Sequence, residues 1–314
     1  MAPMFNKIRN VTQTAGRPPA AIEIAPEGVL AAARPATRAR RDASEPAQGN
    51  VYAFVPLSSG AIVPGIGEPN LRAPEAVTAA IRSVLDEISP RTRSVTVVLP
   101  DSLVRVFVLD FDSLPAKPSE AIPVVRFRLR KMVPFEVEHA GVSYQVLSQS
   151  ASEWKVLAAV VPGPILAEYE AAVRAAGYEP GAVLSSSLAA LESFESMEAI
   201  MAANLSAHTI TTTIATGQEL LLYRTLDLPQ DRAHRNAEIQ RSIAVASAYF
   251  EDKLGSRPRT LHYAGVQDPA EFAASIGDPE LSVVDWASRP DEGAMTALPQ
   301  ACFAGVVGAL AGAS

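Results

Sequence analysis

The sequence predicts an α/β fold in two lobes, with a small α+β subdomain inserted into the first. Three observations predict it. Short apolar runs of strand length alternate with amphipathic segments of helical spacing along most of the chain. A strand–helix–strand–strand–helix block within residues 101–183 interrupts that alternation. The length, 314 residues, suits two domains at a prior of ~150 residues each.

The elements follow in order. Residues 1–17 are polar, are closed off by Pro18-Pro19 and read as a tail. Strands at 21–25 and 29–33 flank a turn at Pro26-Glu27-Gly28. The segment 34–50 holds Arg34, Arg38, Arg40 and Arg41 among Ala, Pro, Ser and Gln. With so few large apolar groups it cannot offset its ordering entropy, which predicts a mobile loop. After a strand at 51–55, Pro74 opens a helix, where its missing N–H is harmless. Val77, Ile81, Val84, Leu85 and Ile88 give that helix one apolar face, and 95–99 is a continuous apolar strand.

The inserted block reads as strands 104–111, 142–147 and 155–161 with a helix at 118–131, spaced through Ile122, Val125 and Leu129. Pro123 falls in its first turns, where proline costs less than in mid-helix. A helix opened by Pro164 turns Leu166, Tyr169 and Val173 inward and ends at Gly177. Ser185-Ser186-Ser187 reads as the cap of a helix at 186–194 that returns the chain to the first unit. Strands 209–215 and 219–226 flank Thr216-Gly217-Gln218 as a hairpin. Ile239, Ile243, Ala246, Phe250 and Leu254 mark a long helix ending at Gly255; a strand at 259–263, a helix at 269–275 and a strand at 281–284 follow. The tail 301–313 reads as a small-residue helix in which Gly305 and Gly308 allow a neighbour to come close. Apart from a kinship between two strand–turn–strand units, no internal repeat is evident. The division predicted is a tail at 1–17, a first subdomain at 18–100 and 184–200, the insert at 101–183, and a second lobe at 201–314 that includes the C-terminal helix.

Composition narrows the function. A net charge of −7 argues against a nucleic-acid binder, because phosphate affinity comes from clustered cations. One cysteine, Cys302, excludes a disulfide framework, and four scattered histidines leave little for a zinc site. The apolar run 301–313 would span only ~20 Å as a helix, short of the ~20 residues a bilayer crossing needs. No 7–15-residue apolar stretch at the start reads as a secretion signal, which predicts a cytosolic protein. There is no Gly-x-x-x-x-Gly-Lys loop, His-Glu-x-x-His pair or Gly-x-Ser-x-Gly elbow. His208 reads as a structural imidazole, and Asp110 and Asp112 as solvated carboxylates at a strand end. Arg126, Arg128, Arg130 and Lys131 alternate with Phe127, Leu129 and Met132, an amphipathic element with a cationic side.

The order of elements, with the pieces around Ile22 and Asn204, resembles the PilM family of type IV pilus assembly, related to FtsA and to the cytoplasmic part of GspL. The clearest stretch runs from Val-Thr-Val-Val-Leu-Pro at 95–100 through Val133-Pro134-Phe135-Glu136, Val142-Ser143-Tyr144-Gln145-Val146 and 155–160 to Ala175-Ala176-Gly177-Tyr178-Glu179-Pro180. The resemblance implies an actin-like (ribonuclease H-like) fold whose insert is the family's 1C subdomain. At the nucleotide positions the chain departs from the family. The first phosphate loop, Asp-Ile-Gly-Ser in the family, is Glu23-Ile24-Ala25-Pro26-Glu27-Gly28 here. Ala25 adds a Cβ, Pro26 removes an N–H donor and Glu27 places an anion where phosphate would sit. The second loop is Asn204-Leu205-Ser206-Ala207-His208-Thr209, and the adenosine motif aligns with Tyr263-Ala264-Gly265-Val266. Glu23, Ala25, Asn204, Ser206, Thr209, Ala264 and Gly265 thus form a degenerate site, with no bound ATP or other cofactor expected and no enzyme activity.

The resemblance further implies a structural adaptor at the cytoplasmic face of the inner membrane. Its partner would be the N-terminal cytoplasmic peptide of a PilN-like protein, held between the first subdomain and the insert. PilO and the pilus motor ATPases would be reached indirectly, and the membrane only through partners. Arg128 is the candidate for peptide carbonyls or acidic groups, and Leu129 and Phe135 for apolar side chains. The alternatives are an actin-like ATPase and a GspL-like secretion component.

Overall fold

The computed structural model describes residues 17–34, 50–67, 69–150, 152–194, 198–217, 219–287 and 300–313. Most of the predicted tail and arginine segment, and Gln218 of the predicted turn, lie outside them. Two five-stranded sheets form the framework. The first is built from β1 (Ala20–Ala25), β2 (Gly28–Ala33), β3 (Val51–Pro56), β4 (Ser94–Leu99) and β8 (Glu179–Ser185), in the order β3-β2-β1-β4-β8. Antiparallel pairing joins β1, β2 and β3, whereas β1, β4 and β8 run parallel. The second sheet repeats that order and those directions as β11-β10-β9-β12-β13: β9 (Ala199–Leu205), β10 (Thr209–Thr216), β11 (Glu219–Asp227), β12 (Thr260–Gly265) and β13 (Ser282–Asp285).

The helices repeat as well. α1 (Pro74–Ile88) links the third and fourth strands of one sheet, as α5 (Arg232–Leu254) does in the other. α3 (Gly163–Ala175) precedes the last strand of the first sheet and α6 (Pro269–Ile276) that of the second. α4 (Ser186–Leu191) and α7 (Gln300–Ala311) follow those last strands and pack against each other. The chain is therefore a structural duplication that the sequence hides, and a ribonuclease H-like unit used twice is the actin-like architecture.

Between β4 and α3 sits the insert: β5 (Arg105–Phe111), α2 (Pro118–Leu129), β6 (Gly141–Gln149) and β7 (Trp154–Val161), with strand order β5-β7-β6. Two predicted boundaries move. The helix opened by Pro164 buries Ile165, Tyr169 and Val173 in the core of the first lobe, and residues 179–183 belong to that lobe's edge strand, so neither is part of the insert. The C-terminal helix, assigned above to the second lobe, buries Phe303, Val306, Ala309 and Leu310 against Ala21, Ala25, Leu30, Ala32 and Val98 of the first sheet.

Alternation along β1 explains both layers. Ala20, Ile22 and Ile24 face the core with α1 and α3, while Ala21 and Ala25 face α4 and α7. The residues on the second face are small, which lets two helices cross tightly there. A Cβ on Gly308 would stand 1.9 Å from the Ala189 carbonyl oxygen of α4. In the second lobe Ile239, Ile243 and Phe250 of α5 meet Ile210, Ile214 and Leu261, and Tyr263 stacks on Phe272 of α6 at 4.0 Å.

Candidate functional site

Two places on this framework gather polar chemistry: the junction of the lobes, and a groove between the insert and the first lobe. At the junction Asp101, just past β4, is 5% exposed. It accepts from the Ser187 N–H at 3.0 Å, the Ser187 hydroxyl, Asn204 Nδ2 at 3.2 Å and the Tyr223 hydroxyl at 3.1 Å. Ser187 belongs to the first lobe, Asn204 and Tyr223 to the second, so one carboxylate ties both lobes. Tyr223 also meets Ser185 Oγ at 3.2 Å, and Asn204 Nδ2 reaches Ser186 Oγ at 3.2 Å. The three serines read above as a cap instead serve this network; Ser185, at the cap position, makes no side-chain cap bond. Burial pushes the Asp101 pKa up, opposed by hydrogen bonds from Ser187, Thr211 and Tyr223.

Glu23 takes its place on the α4–α7 face of β1, 2% exposed. Burial holds its pKa well above the usual carboxylate range; a Ser186 hydrogen bond opposes this, and the charges of Asp101 and Glu27 add to it. Its Oε2 has no hydrogen-bond partner. A Cβ on Gly305 of α7 would stand 2.3 Å from that oxygen, so the helix passes only because residue 305 is glycine.

The raised pKa values of Glu23, Glu27, Asp101 and Glu192 fix a sign. The folded state holds these protons more tightly than the unfolded chain, so their contribution is complete below the unfolded value, 4.5 for a glutamate, and is lost as pH rises through the folded values. Denaturation midpoints are expected to fall as pH rises above 4.5, and Glu23→Gln to flatten that slope. An unchanged slope in the variant would contradict the assignment to Glu23.

The two loops predicted to face phosphate approach each other across the cleft, close enough for His208 to lower the Glu27 pKa against the larger effect of burial. Pro26 and Glu27 are the two-residue turn between the paired Ala25 and Gly28, with no loop around them to wrap an anion. In the second loop Ser206 Oγ accepts the N–H groups of His208 at 3.2 Å and Thr209 at 2.9 Å. Arg235 of α5 donates to the carbonyls of Ser206, at 2.8 Å, and Ala207. The Ser206, His208 and Thr209 N–H groups of that loop are thus bonded within the chain. His208, read above as a structural imidazole, is exposed. At the adenosine position Ala264 packs with Ala304 of α7, and the space bordered by Tyr263, Ala264, Trp286 and Phe303 is about 10 Å³, no more than one water needs. Gly265 is required there, since a Cβ would stand 2.2 Å from the Tyr263 hydroxyl. Among the described residues no cluster of His, Cys, Asp or Glu can hold a metal.

The groove has a volume of about 290 Å³ and runs between β6 and β8, each an edge strand of its sheet. Leu157 and Ala159 of β7, Leu166 of α3 and Leu188 of α4 supply apolar surface. Polar groups are few. Gln145 lines the groove with its Oε1 unpartnered, and the Arg17–Glu192 ion pair lies at its border, the two side chains 10% and 4% exposed. The Glu192 pKa is raised by burial and drawn back by Arg17.

None of the three residues predicted for peptide contact lines this groove. Leu129 is fully buried and Phe135 half-buried, both in the insert's own core beneath α2; Arg128 is exposed on the outside of that helix. The sheet β5-β7-β6 separates them from the groove, because α2 covers the opposite face. The sequence reading missed Asp101, Tyr223, Glu192 and Gln145. The signal for Asp101 was a carboxylate directly after the buried strand 94–99 and Pro100; for Gln145 it was an amide between Tyr144 and Val146 in the middle of β6.

No family model matches the sequence, and no curated protein matches it. Among solved structures the chain is similar to the one titled PilM-PilN type IV pilus biogenesis complex, at 17% identity and a TM-score of 0.71, over 96% of this chain and 100% of that one. It is similar also to the cytoplasmic domain of EpsL, an inner-membrane component of the type II secretion system of Vibrio cholerae (15% identity, TM-score 0.49, 88% of this chain and 90% of that one). A Bacteroides thetaiotaomicron protein described as having an actin-like ATPase fold matches at 12% identity and a TM-score of 0.49, over 84% and 90%. At such identities the likeness is one of fold, and in the first case it extends over the whole architecture, insert included.

Proposed function

We propose that the chain is a non-catalytic adaptor of type IV pilus assembly that holds an extended, PilN-like cytoplasmic peptide in the groove between β6 and β8. The observation that carries this reading is the groove itself: two edge strands and an apolar floor, in a fold shared with the protein of a PilM-PilN complex. An extended peptide suits such a site, with backbone donors and acceptors meeting strand edges while alternate side chains enter apolar pockets. The adaptor would sit at the cytoplasmic face of the inner membrane, drawn there by that partner and through it to PilO and the motor ATPases; no helix among the described residues is long and apolar enough to cross a membrane. Nucleotide turnover does not fit the cleft: Pro26 lacks a donor, Glu23 and Glu27 are acidic side chains whose burial disfavours an added phosphate charge, and the His208 and Thr209 N–H groups are already bonded.

One calorimetric series tests both halves. The N-terminal peptide of a PilN-like protein is expected to bind at micromolar strength or better, and Leu188→Arg to abolish binding. The fold of that variant is checked by its melting temperature, and Arg128→Ala, outside the groove, should bind as the parent does. Mg-ATP is expected to give no heat of binding. Micromolar Mg-ATP affinity would overturn the non-catalytic reading, and peptide binding unaltered by Leu188→Arg would overturn the groove.

A further inference from the structure

The outer face of α2 is left unexplained by the groove and by the cleft. On its inner side Ala121, Val125 and Leu129 are fully buried. On its outer side and in the turn that follows, Val124, Phe127 and Met132 are 37%, 67% and 43% exposed, and Phe127 is the most exposed large apolar residue among those described. The same stretch concentrates positive charge. Residues 117–131 hold Lys117, Arg126, Arg128, Arg130 and Lys131 against the single acid Glu120, on a chain of net charge −7.

Three of those cations have partners: Lys117 pairs with Glu120 at 3.5 Å, Arg126 caps the carbonyls of Val137 and Ala140, and Arg130 pairs with Glu138 while lying 6.0 Å above the Phe127 ring. Arg128 and Lys131 are exposed and have no anionic partner among the described residues. An aromatic ring held in solvent beside two uncommitted cations is the composition of an interfacial helix, whose apolar side chains enter the headgroup boundary while its cations meet lipid phosphates. The face is a convex helix laid over a three-stranded sheet, a shape that a deformable bilayer accepts.

We propose that the outer face of α2 docks on an anionic lipid bilayer, with Phe127, Val124 and Met132 at the headgroup boundary and Arg128 and Lys131 on lipid phosphates. The contact is weak by itself and sets orientation; a second attachment is needed for stable residence. Co-sedimentation of the full chain with vesicles tests it. Binding is expected with mixed phosphatidylglycerol–phosphatidylcholine vesicles, to weaken with salt, and to be absent with phosphatidylcholine alone. Lys131→Glu and Phe127→Ser are both surface changes whose folding is checked by thermal melts. Lys131→Glu is expected to weaken binding by about fivefold or more, as ~1 kcal/mol per juxtaposed cation implies, and Phe127→Ser to weaken it by removing the apolar side chain that enters the headgroup boundary. No binding to the anionic vesicles overturns the proposal, as does binding that both variants leave unchanged. Concentration-dependent self-association without vesicles that Phe127→Ser removes also overturns it, and assigns the face to a second copy of the chain.

Discussion

Replacing Gly308 with alanine lowers the denaturation midpoint, although the same change in an exposed helix interior stabilises by ~1 kcal/mol. The added Cβ would stand 1.9 Å from the Ala189 carbonyl oxygen and 2.5 Å from its carbon, both backbone atoms of α4. That carbonyl is held in place by the Glu192 N–H at 3.0 Å, so it cannot swing away without opening the end of α4. The relief available is to move α7 outward, which loosens Phe303, Val306 and Leu310 from the first sheet together. Overpacking of well-packed cores costs ~1–3 kcal/mol, and a backbone contact sets the upper part of that range, so a net loss of about 2 kcal/mol is expected. Gly308→Leu should not reach the native fold at all. Urea melts of the alanine variant decide the matter, and a gain in stability would mean that the helices cross elsewhere.

Asp101→Ala is the second large effect, expected at about 3–5 kcal/mol, the range for removing one partner of a buried charged network. Four hydrogen bonds are lost at once, from the Ser187 N–H and hydroxyl, Asn204 Nδ2 and the Tyr223 hydroxyl, of which Asn204 and Tyr223 keep Ser186 and Ser185 as partners. The loss is not shared evenly. Ser187 sits inside the first lobe, but Asn204 and Tyr223 reach across from the second, so the variant weakens the joint between lobes more than either sheet. Hydrogen exchange is expected to quicken at the facing ends of β9 and β11 while α1 and α5 keep their protection. Tyr223→Phe removes one donor and leaves the charge with three, for a cost of about 1–2 kcal/mol. Uniform exchange across the chain in Asp101→Ala would contradict a role in joining the lobes.

Local chemistry is what the sequence displayed well. The apolar stripe of α1, the capping glycine after α5 and the turn at Pro26-Glu27 are each decided by residues within a few positions, and the structure has them where the spacing places them. Gly305 and Gly308 announced a close approach, but not to what: the contact lies more than a hundred residues upstream, on α4 and on Glu23. β9, with the sequence AIMAANL, carries no alternation because both of its faces are buried, and its alanines suit a helix equally. β8 begins Glu179-Pro180-Gly181, a turn signature, and tolerates it because it is an edge strand with a register shift opposite Val95 and Thr96. Leu129 and Phe135 were correctly read as apolar, yet periodicity reports burial and not the neighbour. The groove required knowing which face of β6 α2 would cover.

The helix that crosses β1 and β2 has a consequence for how the chain is made. The second lobe, from β9 to β13, is one continuous stretch and can close as soon as β13 is available. The first lobe begins earlier yet keeps one face of its sheet covered only in part, by α4, until α7 arrives. The roughly 270 residues between β2 and α7 take on the order of 15–50 s to translate at ~5–20 residues per second. Throughout that interval Ala21, Leu30 and Ala32 lack the cover of α7, as Val98 does once it is made, and Glu23 meets water. A polar side chain there keeps the waiting surface wet, and its burial under Gly305 of α7 becomes one of the last events of assembly.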